Sequence, residues 1–113
     1  MKKYLVACAA LLVFATVVRA DPPKKVNLSY QSETKKLKIE AIHPVKNVTE
    51  HYLDLISISV DGKEVKALKP KKQSSAAGEN IEIVVPEIKA GSQVEVKARC
   101  NEFGSKTAKL TIK

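Results

Sequence analysis

His43, His51 and Cys100 are the side chains of this sequence best suited to hold a transition metal. Imidazole nitrogen and thiolate sulfur are the donors that bind zinc, copper and iron, and strand ends and loops can aim them at one point. The two histidines are eight residues apart and flank a loop opened by Pro44. Cys100 begins the segment Cys100-Asn101-Glu102-Phe103-Gly104, far away in the chain. No Cys-x-x-Cys or other tight ligand spacing is present, so spacing alone leaves a plainer reading open: two loop histidines and a small buried thiol. A shared site requires both segments to meet at one end of the fold.

Cys8, the other cysteine, falls in a segment expected to be removed. Lys2 and Lys3 form a positive n-region, residues 4–18 an apolar run, and Val18-Arg19-Ala20 a small-residue cleavage pattern, so residues 1–20 read as a secretory signal peptide. The run is short for a membrane span, and no stable membrane association is expected after cleavage. Export to the periplasm follows as an expectation. Cys100 is then left without an intramolecular disulfide partner, and a lone thiol in an oxidising compartment calls for burial, a metal, an adduct or an intermolecular bridge.

The chain carries 20 Lys and Arg against 12 Asp and Glu, a formal charge of +8, with aromatic residues at only 4%. The basic residues recur along the whole length, with Lys69-Pro70-Lys71-Lys72 as the densest patch, and there are few rings to stack on bases. That pattern describes solvated strand faces and not a nucleic-acid interface. A redox or protein partner is compatible with it, without being identified by it. The chain beyond residue 20 is long enough for one domain with one modest core.

The elements that must position the three candidates show a period of two. Residues 21–25, with Pro22 and Pro23, read as an extended leader, and a domain over residues 26–113 comes after it. Val26, Leu28 and Tyr30 alternate with polar neighbours, and so do Leu37, Ile39 and Ala41, up to a break at His43-Pro44. A long strand is expected from His51 to Val60. Asp61-Gly62 is a hairpin turn leading to Val65 and Ala67. An aperiodic stretch from Leu68 to Asn80 reads as a connecting loop. Ile81 and Ile83, then Val94, Val96 and Ala98, then Ala108, Leu110 and Ile112 supply three more strands, with Cys100 on the inward parity of its own. About seven short antiparallel strands and no helical period give an all-β, immunoglobulin-like β-sandwich.

His43-Pro44, Glu50-His51-Tyr52-Leu53, Asp61-Gly62-Lys63, Leu68-Lys69-Pro70 and Ala98-Arg99-Cys100-Asn101-x-Phe103-Gly104 together resemble the desulfoferrodoxin and neelaredoxin family of superoxide reductases, over about residues 37–104. The resemblance implies an immunoglobulin-like sandwich holding one iron through four equatorial histidines and an axial cysteine, and reduction of superoxide to hydrogen peroxide. Matched residue by residue, it makes His43 and His51 two of the equatorial ligands and Cys100 the axial thiolate. Phe103 stands where the family's Cys-Asn-x-His-Gly has histidine, no histidine precedes His43, and the loop between His43 and His51 is longer by two residues. Only three of five ligands remain, so the resemblance implies an iron-binding domain with degenerate redox activity.

Oxygen from Glu50 or water would be needed to complete a coordination sphere. A His2Cys set also suits copper or zinc, although no methionine beyond Met1 is present to act as the weak axial ligand of a blue-copper centre. A more distant likeness, to the sulfur-oxidation carrier-complex subunit that shares this sandwich, leaves a metal-free interaction module as the alternative.

Overall fold

The structure, a computed structural model, describes residues 22–113. The expected signal peptide lies outside the described residues. Seven strands appear in chain order: β1 (Lys25–Gln31), β2 (Lys36–Ile42), β3 (Leu53–Val60), β4 (Lys63–Leu68), β5 (Gly78–Val84), β6 (Gln93–Cys100) and β7 (Ser105–Thr111). They form two antiparallel sheets, one in the order β1-β2-β5 and the other β4-β3-β6-β7. No described residue is helical. The expected all-β sandwich of seven strands is what the chain forms.

The core follows from the alternation. Leu37, Ile39 and Ala41 of β2 face Ile56, Ile58 and Val60 of β3 and Val94, Val96 and Ala98 of β6, and all nine are buried. Their neighbours Lys36, Lys38, Glu40, Glu95, Lys97 and Arg99 are exposed, because successive side chains of a strand point to opposite faces. Cys100 is the last inward position of β6, and burial there is set by parity before any chemistry.

The β3–β4 hairpin turns in two residues, Asp61 at φ 51 and Gly62 at φ 85, which pair Val60 with Lys63. Both central residues of this turn need positive φ to match the twist of the strands, and Asp-Gly meets that need cheaply. At the other end of β3 the pairing with β6 slips: Leu53 faces Cys100 and Leu55 faces Arg99, leaving Asp54 as an extra residue. Arg99 grips this bulge by donating from Nε and Nη2 to the two Asp54 carboxylate oxygens at 2.9 and 3.2 Å. The hydrogen bond first, and the charge of Asp54 second, raise the Arg99 pKa above its ordinary value.

The sequence placed the start of β3 at His51, two residues before its position in the fold. Residues 47–51 form a turn instead. Asn47 Oδ1 accepts from Thr49 N at 3.0 Å and from Thr49 Oγ1 at 2.7 Å, while the Asn47 carbonyl accepts from His51 N at 2.9 Å. A short amide side chain that satisfies nearby backbone donors competes with strand pairing. β1 starts at Lys25, one residue before the alternation suggests. Ahead of it Pro23 is fully buried and Lys24 N donates to the Ile42 carbonyl at 2.8 Å.

Candidate metal centre

His43 follows the last residue of β2 in the three-stranded sheet, Cys100 ends β6 in the four-stranded sheet, and His51 lies in the loop that crosses between them. All three therefore reach the same end of the sandwich. One donor atom from each lies within 4.8 Å of the others. The two imidazoles meet edge to face with ring centroids 4.8 Å apart, and His51 Nε2 is 3.1 Å from Cys100 Sγ. His43 is 2% exposed and Cys100 3%; His51 is partly open.

Asn101 brings the two loops into register. Its side-chain oxygen accepts from Tyr52 N at 2.9 Å, its amide donates to the Glu50 carbonyl at 2.9 Å, and its own backbone N–H donates to the Tyr52 carbonyl at 2.9 Å. The turn beyond it closes through Cys100 N, which donates to the Gly104 carbonyl at 2.9 Å. Glu102 N–H then points at Cys100 Sγ from 3.4 Å, a donor aimed at sulfur of the kind that tunes a thiolate ligand. Glu102 Oε2 stands 4.0 Å from His51 Nδ1, half exposed and beyond hydrogen-bond reach.

His43 is held from a different direction. Its backbone N–H donates to the Ala77 carbonyl, and its Nδ1 lies 2.7 Å from Oε1 of Gln73, a side chain 1% exposed. Gln73 belongs to the aperiodic stretch after β4, which composition marked only as a basic connection. No periodicity could have singled it out.

Glu50, the expected oxygen donor, lends its main-chain carbonyl to Asn101, and neither its carboxylate nor that of Glu102 falls within the three-donor group. Both line an open depression of about 550 Å³ beside His51, together with Lys46. Phe103, three residues beyond Cys100, is a surface ring 59% exposed.

Among solved structures, a superoxide reductase (1Fe-SOR) from Giardia intestinalis is similar, with a TM-score of 0.62, 14% identity, and coverage of 80% of this chain and 99% of that one. The fold is superoxide-reductase-like. At that identity the likeness extends to the fold alone. No family model matches the chain, and no curated protein matches it.

Iron is the metal that this neighbour's name carries, and the donors present can be tested against it. Four imidazoles and a thiolate are what the family resemblance implies, and this chain has two histidines in all. The five-ligand iron site does not fit. Three donors, two of nitrogen and one of sulfur, do fit an ion that accepts low coordination and completes its sphere with water or a carboxylate.

Proposed function

We propose that this chain is an exported metal-binding domain built on the superoxide-reductase-like sandwich, with His43, His51 and Cys100 as its ligands and with degenerate redox activity. The observation that carries the reading is the approach of three donor atoms, from residues 43, 51 and 100, to within 4.8 Å at a buried strand end. A bound zinc, cuprous or ferrous ion supplies Lewis acidity or one-electron chemistry. The chain itself supplies two imidazoles and a sulfur carrying an N–H···S contact.

Export belongs to the same proposal and rests on the n-region, apolar run and cleavage pattern of residues 1–20. In an oxidising compartment a metal would also protect the lone Cys100 from oxidation. Fractionation of expressing cells with intact-mass measurement is expected to find the protein in the periplasm as a chain beginning at Asp21; protein confined to the cytoplasm with residues 1–20 retained would refute export.

The direct test of the metal site is anaerobic isolation followed by elemental analysis and titration with cobalt(II), whose thiolate charge-transfer band reports a sulfur ligand. One ion per chain and a band abolished by Cys100→Ala are expected. Protein that arrives metal-free and gives no band would leave the metal-free interaction module as the better reading, with the exposed Phe103 as its first candidate contact.

A further inference from the structure

We propose that Gln73 is the positioning residue of the metal centre: its side-chain carbonyl holds the His43 proton on Nδ1 and so makes Nε2 the ligating nitrogen. The amide's orientation is settled by its surroundings. Gln73 Nε2 donates to the His43 carbonyl at 2.8 Å and to the Ser75 carbonyl at 2.9 Å. Both partners can only accept, so exchanging oxygen and nitrogen would set an oxygen against two carbonyls and lose two hydrogen bonds. Oε1 therefore faces His43 Nδ1, at 2.7 Å, and a carbonyl oxygen there requires Nδ1 to be the donor. A neutral imidazole has one N–H and one lone pair, and the lone pair falls to Nε2.

Burial makes this control strict, because His43 and Gln73 are 2% and 1% exposed and water cannot stand in for the amide. Gln73 is itself fixed. Its backbone N–H donates to the Val48 carbonyl at 2.9 Å, tying the loop after β4 to the loop between the two histidines. Next along the chain, the buried Glu79 carboxylate accepts from the Ser74 backbone N–H at 3.1 Å and from the Ser74 hydroxyl. A ligand histidine whose far nitrogen is bonded to a carbonyl or carboxylate is pre-oriented and made more basic, and losing such a partner typically lowers metal affinity by about 10–100-fold.

Resting on the metal-site reading, the proposal is tested so that the two can fail separately. In the metal-free protein, a long-range proton–nitrogen-15 correlation spectrum is expected to show His43 with its proton on Nδ1. Zinc titration against a chromophoric chelator is expected to show Gln73→Leu about 10–100-fold weaker than the parent. Gln73→Glu keeps an acceptor opposite Nδ1 and is expected to retain the tautomer, while its second oxygen, set against the His43 and Ser75 carbonyls, lowers stability. A parent protein with the His43 proton on Nε2 overturns the proposal, and that measurement needs no variant to fold. So does a folded Gln73→Leu with unchanged tautomer and zinc affinity. No zinc uptake by a parent protein with the Nδ1–H tautomer would instead bring down the metal-site reading, and the role given to Gln73 with it.

Discussion

At the scale of single residues, the type of the donors ranks the ions. Affinity of nitrogen and sulfur sites rises from ferrous iron toward copper and zinc, and a thiolate sharpens that order. Zinc is therefore expected to displace ferrous iron from His43, His51 and Cys100 in an anaerobic competition, with the released iron read by a ferrous chelator; retention of iron against equimolar zinc would show further donors at work. Loss of a direct ligand exceeds the 10–100-fold that outer partners are worth, so Cys100→Ala is expected to weaken zinc binding by more than about 100-fold. These three residues were legible in the sequence because their types are scarce: two histidines and one cysteine outside the expected signal peptide. Gln73 was not, because an amide takes on meaning only when the carbonyls that orient it are known.

Strands and loops decide whether those donors meet. Alternation over residues 37–41 and 94–100 exposed β2 and β6 to sequence reading, and the inward place of Cys100 came with it. The start of β3 escaped because Asn47 captures local donors that a strand would otherwise use. Asn101 is the clasp between the His51 and Cys100 loops, and Asn101→Ala removes its two side-chain hydrogen bonds. A cost of about 1–3 kcal/mol in urea unfolding is expected, with zinc affinity falling alongside; an unchanged midpoint would show that the loops are held by other means. Gly78 is a second structural constraint. It sits at φ +145, where an added Cβ would lie 1.9 Å from the Ala41 carbonyl oxygen and 2.9 Å from His43 N. Both neighbours are backbone and cannot swing aside, so Gly78→Ala is expected to cost about 3 kcal/mol or more and to disturb His43.

For the molecule as a whole, the question is what a superoxide-reductase-like sandwich with two histidines does. Converting superoxide to hydrogen peroxide takes one electron and two protons, and the electron must come from a metal that cycles between two oxidation states with a position open to the anion. The family pattern sets that field with four imidazoles, and this chain has two. Both absences follow from the resemblance read in the sequence: Phe103 stands where it implies one histidine, and no histidine precedes His43. Fewer imidazoles would change both the charge and the potential of an iron held there. Iron-loaded protein is thus expected to add little or nothing to the spontaneous decay of superoxide in stopped-flow absorbance. Phe103→His replaces a ring that is 59% exposed, so stability is expected to move by no more than about 0.5 kcal/mol. Metal affinity is expected to rise as a third imidazole is added, while turnover stays absent because the upstream ligand is still missing. A fast decay in proportion to bound iron in the parent protein, abolished by Cys100→Ala, would show that three protein ligands suffice and that this domain is a working reductase.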